Sequence, residues 1–120
     1  MVDDDESLLK LCTQFLEFKG FNIIDSAKDG IEAIKKYKNF EYKPDIIIMD
    51  YKMPFKNGIE TAKEILRIDK QVKILLMSAD NKIEESALAA GAIKFKSKPF
   101  DLHDLYNSLL HLIQCNIIIS

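Results

Sequence analysis

Two cysteines and two histidines are all the thiol and imidazole groups in the 120 residues. Cys12 and Cys115 lie in apolar helical patterns, with neither disulfide-framework nor metal-ligand spacing, which excludes a disulfide scaffold and a cysteine–histidine metal site. His103 and His111 share one helical segment and read as surface or boundary residues. No run of about 18 apolar residues and no signal-peptide pattern occurs, so a soluble, cytoplasmic protein with no membrane contact is expected. Net charge is only −2, which gives no global reason to expect direct nucleic-acid binding. The one basic stretch, "KKYKNFEYK" with Lys35, Lys36, Lys38 and Lys43, reads as the end of a surface helix, where cations complement the helix dipole. No glycine-rich phosphate loop is present; the place it would take is held by "DDDES", of opposite charge character. Repeats, low-complexity tracts and linkers are also missing, and residues 1–120 are expected to form one domain.

What is there is an alternation. Residues 6–19 carry apolar side chains at helical spacing (Leu8, Leu9, Cys12, Phe15, Leu16) and stop at Gly20, a usual residue just past a helix end. "FNIID" reads as a short strand, and "DGIEAIKKYK" as a helix with Ile31, Ala33, Ile34 and Tyr37 facing inward. "KPDIIIMD" is a continuous apolar run closed by Asp50. A helix "IETAKEILRI", a second apolar run "VKILLMS", a helix "KIEESALAAG", a strand "AIKFK" and a helix "DLHDLYNSLLHLIQ" follow. Strands alternating with helices predict an α/β, doubly wound parallel sheet covered on both faces. Runs such as "IIIM" and "ILLM" agree, because strands buried on both sides are apolar throughout.

Ligands of such sheets bind at the carboxyl ends of the strands. Asp3, Asp4 and Asp5 follow Val2, Asp50 follows "IIIM", Ser78 follows "ILLM", and Lys98 follows "AIKFKS", immediately before Pro99. Carboxylates gathered at one edge cannot all stay ionised without a cation. An all-oxygen site with room for waters suits Mg2+. A carboxylate there can attack phosphorus, with a lysine and a hydroxyl to meet the phosphoryl oxygens. An aspartate ending a buried strand needs such a partner, whereas Asp5 and Glu6 are sufficiently explained as helix-start residues.

The pieces "VDDDES", "KPDIIIMDYKMPFKNGIE", "LLMSA" and "KSKPF", in this order, resemble the receiver domain of two-component response regulators, the CheY-like family. The resemblance runs from Val2 to the last helix. It implies a five-stranded sheet in the order 2-1-3-4-5, with Asp50 as phosphoacceptor at the end of the third strand. It implies that Asp3 and Asp4 organise Mg2+, Asp4 as the direct ligand, with Asp50 and the backbone carbonyl of Lys52 completing the metal set. Ser78 corresponds to the switch hydroxyl, Lys98 to the phosphate-binding lysine and Phe95 to the aromatic switch residue. Pro54 and Gly58 match the loop after the phosphoacceptor, and Pro99 the Lys-Pro step. A histidine kinase or phosphotransfer protein would be the donor, and a downstream protein would read the surface formed by the last two helices and the strand between them. Lys52 and Asp80 fall at the mouth of the site, where an ion pair between them would cover the phosphoryl group.

Other classes fit less well. A dehalogenase-like phosphatase would need an acid two residues after Asp50, where Lys52 stands. A receiver-like interaction module that takes no phosphate would be expected to lack a site acid or lysine, and none is missing. The family's first strand has several apolar residues before its acids, whereas only Val2 precedes them here. The segment 116–120, "NIIIS", is therefore expected to complete the sheet as a strand, in a permuted receiver scaffold or by exchange within a homodimer.

Overall fold

A computed structural model describes residues 6–41, 44–53, 55–98 and 101–119, side chains at 6, 8, 9 and 113–119 excepted. Helix α1 spans Glu6–Phe18 and ends as its glycine predicts. Gly20 takes a left-handed φ of 98°. Its N–H reaches the Glu17 carbonyl, and that of Phe21 reaches Leu16, each at 3.0 Å, so two helix-end carbonyls are satisfied. Helix α2 (Gly30–Asn39) is capped by the Asp29 carboxylate, which accepts from the Glu32 N–H. Its last turn carries Lys36 and Lys38, in keeping with the dipole reading of the basic stretch.

Strand β1 (Ile46–Asp50) leads to α3 (Gly58–Ile68), β2 (Lys73–Ser78), a 3-10 turn (Asn81–Ile83), α4 (Glu84–Ala89), β3 (Lys94–Ser97) and α5 (Leu102–Ile119). Among the described residues the sheet has three strands, all parallel, in the order β1-β2-β3. They hold the places expected of the third, fourth and fifth strands. Register pairs Asp50 with Met77 and Ser78 with Ser97, which brings the strand ends to one level.

The apolar runs divide with a period of two. Ile47, Met49, Ile74 and Leu76 join Ala33, Ile34, Tyr37, Ala62 and Ile65 in one cluster. Ile48, Leu75 and Met77 join Cys12, Leu16, Leu105, Leu109 and Leu112 in the other. Successive side chains of a strand point to opposite faces. A sheet covered on both sides therefore requires the unbroken apolar sequence that "IIIM" and "ILLM" supply.

Four expectations are corrected or narrowed. Among the described residues "FNIID" joins no strand; residues 21–26 run without regular pairing there, and Ala27 makes one isolated bridge. A strand exists only through its partner, and the expected neighbour of this stretch begins at residues 1–5, outside the described residues. Ile31 is 54 % exposed, because the inward stripe of α2 is Gly30, Ala33, Ile34 and Tyr37. The fourth helix opens with a 3-10 turn capped by Asp80. Most consequentially, residues 116–119 are not a strand: α5 runs on through Ile119. Isoleucine costs a helix only a few tenths of a kcal/mol, and each added residue gains a backbone hydrogen bond. Neither permutation nor strand exchange follows from this arrangement. Ser120 lies outside the described residues.

Candidate functional site

Asp50 is the last residue of β1 and is only 6 % exposed. A carboxylate that deeply placed requires a counter-charge, and Lys98 supplies it, Nζ to Oδ1 at 3.1 Å. Lys98 is fixed by its own backbone, whose N–H donates to the Ser78 carbonyl at 2.8 Å. Ser78 ends β2 and is buried; its Oγ accepts from the Asp80 N–H at 3.0 Å. Asp50, Ser78 and Lys98, predicted from three separate stretches, thus meet at the carboxyl edge of the sheet.

The other predicted residues stand at graded distances from this group. Phe95, on β3, is half-buried and packs against the core cluster that includes Leu76, its register partner. Lys52 and Asp80 are both exposed. No ion pair joins them, which corrects that expectation. The Asp80 carboxylate instead accepts from the Lys82 N–H at 2.9 Å, capping the 3-10 turn. A short aspartate bonds the local backbone at less entropic cost than it bonds a mobile lysine across a loop. Asp3, Asp4, Pro54 and Pro99 lie outside the described residues.

Two features of the site were not drawn from sequence. Helix α3 starts directly against the backbone at the end of β1: a Cβ on Gly58 would lie 2.5 Å from the Asp50 carbonyl oxygen and 2.9 Å from Tyr51 Cα. The Gly58 N–H donates to the Tyr51 carbonyl at 2.7 Å. Asn57 and Glu60 form a reciprocal capping box around that start. The signal was present as N-x-x-E ahead of an apolar helix. The second feature is a bridge from Ser97 Oγ to Asn81, which ties the end of β3 to the 3-10 turn. No sequence pattern announces it.

Among the described residues no group of three or more His, Cys, Asp or Glu gathers as a metal site. The described part offers one buried carboxylate, Asp50, and the main-chain carbonyl of Lys52. This is an all-oxygen donor set, chemically suited to a hard cation.

Residues 1–110 match the family model described as "Response regulator receiver domain". The chain belongs to the response regulator receiver family. The chemotaxis protein CheY of Halobacterium salinarum is 38 % identical over 102 residues, 83 % of this chain and 82 % of that protein. CheY of Thermotoga maritima is 39 % identical over 102 residues, 83 % of each. Among solved structures, the CheX–CheY–BeF3–Mg2+ complex from Borrelia burgdorferi matches with TM-score 0.87 and 35 % identity, covering 93 % of this chain and 85 % of that one. A CheY-like receiver domain from Methanospirillum hungatei matches with TM-score 0.90 and 26 % identity, covering 99 % and 94 %. The fold is thus the CheY-like receiver fold. The receiver is a two-component signalling domain rather than an enzyme in the ordinary sense. No helix among the described residues is long and apolar enough to cross a membrane.

Proposed function

We propose that this receiver accepts a phosphoryl group on Asp50 and uses the change to alter a protein-binding surface. The observation that carries the reading is the ion pair of buried Asp50 with half-buried Lys98 at 3.1 Å, set at the strand edge beside buried Ser78. A carboxylate oxygen of Asp50 attacks phosphorus as the bond to the donor breaks. The donor is the phosphoimidazole of a histidine kinase or phosphotransfer protein, and the imidazole departs with its electron pair. Lys98 then faces the new phosphoryl oxygens as a fixed point charge, and Ser78 turns its hydroxyl toward them. Such transfer depends on positioning and charge neutralisation more than on covalent chemistry by the protein.

Mg2+ would be held by Asp50, the Lys52 carbonyl, Asp4 and, behind it, Asp3. Bound there, it supplies positive charge to offset the clustered carboxylates and the phosphoryl group. The same reading places residues 1–120 in one receiver domain and gives the sheet the order 2-1-3-4-5, with residues 21–26 at the outer position and Asp3 and Asp4 at the end of the central strand. Phe95, half-buried between β3 and the core, is the side chain placed to follow Ser78 inward. A downstream protein reads the face of α4, β3 and α5, and Lys52 and Asp80 set solvent access at the mouth as separate charges.

The test is a titration with beryllofluoride or acetyl phosphate in the presence of Mg2+, followed by tyrosine fluorescence or NMR. Saturable spectral change in the wild type and none in Asp50→Asn is the expected result. A silent wild type, or an equal response from Asp50→Asn, rejects the phosphoacceptor and leaves an interaction module.

A further inference from the structure

Phe55 stands in the left-handed backbone region, with φ 70°, and is 83 % exposed. A bulky side chain seldom adopts that conformation; glycine and asparagine are its usual occupants. Among the described residues Phe55 joins neither core cluster. Burial of the ring within this chain therefore does not offset the strained backbone.

The loop that carries it is held from several sides. At its base the Gly58 N–H donates to the Tyr51 carbonyl at 2.7 Å. Lys56 Nζ pairs with Glu64 at 2.6 Å, and Thr61 Oγ1 donates to the Asn57 carbonyl at 2.8 Å. The start of α2 presses on the loop as well: a Cβ on Gly30 would lie 3.0 Å from the Lys56 carbonyl oxygen. Strained residues persist where their surroundings over-determine them, and they gather at sites of function. A ring fixed in place and left in solvent is preorganised for a contact made outside the chain.

Position selects the partner. Phe55 is three residues from Gly58, at most ~11 Å along the chain, and Gly58 packs on the Asp50 backbone. An ordinary protein interface covers ~800 Å² on each side, a disc about 16 Å in radius. A protein that brings a phosphoimidazole to Asp50 therefore covers Phe55 too, whereas a molecule as small as acetyl phosphate does not. We propose that Phe55 is the anchor by which this receiver selects its phosphodonor protein, the ring entering an apolar patch beside the donor's phosphohistidine. The inference rests on Asp50 as phosphoacceptor and adds the residue that recognises the donor.

The test times transfer from two kinds of donor: acetyl phosphate, and purified autophosphorylated histidine kinases of the organism that encodes this chain. Asparagine tolerates a left-handed backbone, so Phe55→Asn should unfold at a higher urea concentration than the wild type. The ratio of kcat/KM with a kinase to the rate constant with acetyl phosphate should fall about thirtyfold in Phe55→Asn, the size of a lost hot-spot contact. Phe55→Tyr, which keeps the ring, should hold the ratio within about threefold. Ile68→Asn, which removes an exposed apolar residue at the far end of α3, should leave the ratio at its wild-type value. An unchanged ratio in Phe55→Asn overturns the proposal, as does a lowered urea midpoint, which would mean that the ring packs within the chain. So does a wild type that loads from acetyl phosphate but from none of the kinases; the phosphoacceptor reading then stands without the anchor. A wild type loaded by neither kind of donor fails the phosphoacceptor reading itself, and the anchor with it. A wild-type dimer that Phe55→Asn dissociates, seen by sedimentation, assigns the ring to a second copy and also overturns the proposal.

Discussion

Lys98 and Asp50 show how far single residues carry the site. The Asp50 side chain is 8 % exposed and that of Lys98 22 %, so solvent screens their attraction only in part. Lys98→Ala leaves the carboxylate in place and takes away its nearest described cation. We expect a stability loss of about 2 kcal/mol by urea unfolding at neutral pH, within the range for charge-assisted bonds. On the proposed function phosphoryl uptake should fall as well, because the same ammonium would meet the incoming oxygens. An unchanged urea midpoint would mean that Lys98 contributes nothing to holding Asp50. Asp50 and Ser78 are legible in the sequence because each follows an apolar run, and Lys98 because it follows the strand segment "AIKFKS" immediately before Pro99. Lys52–Asp80 was read wrongly because position relative to a strand says nothing about which neighbour a side chain selects. Asp80 had a nearer partner in the backbone of its own turn.

At the scale of elements, α3 is the one whose placement bears most directly on the site. Its first residue, Gly58, packs against backbone atoms of Asp50 and Tyr51, which cannot yield as a flexible side chain would. Gly58→Ala must therefore push the helix start away from the end of β1. The expected cost is about 1–3 kcal/mol, as for other overpacked sites, with slower uptake from acetyl phosphate. Lys63→Ala, on the exposed face of the same helix, should change stability by no more than about 0.5 kcal/mol. If both variants behave alike, the close approach has no mechanical role. Helix periodicity and the glycine stop of α1 were readable locally. The extent of α5 was not, because β-branched residues are weak predictors where a helix is already propagating.

For the whole molecule, Tyr37 offers a stability switch outside the physiological range. It is buried at 1 % exposure and its hydroxyl donates to Asp69 Oδ2 at 2.8 Å, linking α2 to the turn after α3. Burial first, then the bond to the Asp69 carboxylate, pushes the phenol well above its ordinary value. A proton held more tightly in the folded state than in the unfolded one stabilises the fold fully below the unfolded value of about 10. That contribution is lost as pH rises from there toward the folded value. Chemical denaturation from pH 8 to 11.5 should show wild-type stability falling relative to Tyr37→Phe above pH ~10. Below that pH, Tyr37→Phe should be less stable by about 1 kcal/mol. Parallel pH curves for the two proteins would show that Tyr37 ionises as freely folded as unfolded.

The sequence by itself determined the α/β alternation, the two-sided burial of β1 and β2, and the order of Asp50, Ser78 and Lys98 along the chain. These follow from local periodicity and from the rule that a parallel sheet places its strand ends together. Only the tertiary structure decided that "FNIID" pairs with no strand among the described residues, that the last isoleucines of α5 stay helical, and that Asp80 caps a turn instead of meeting Lys52. Each of these depends on which partner is within reach, and a pattern along one chain does not encode the distance to its neighbours.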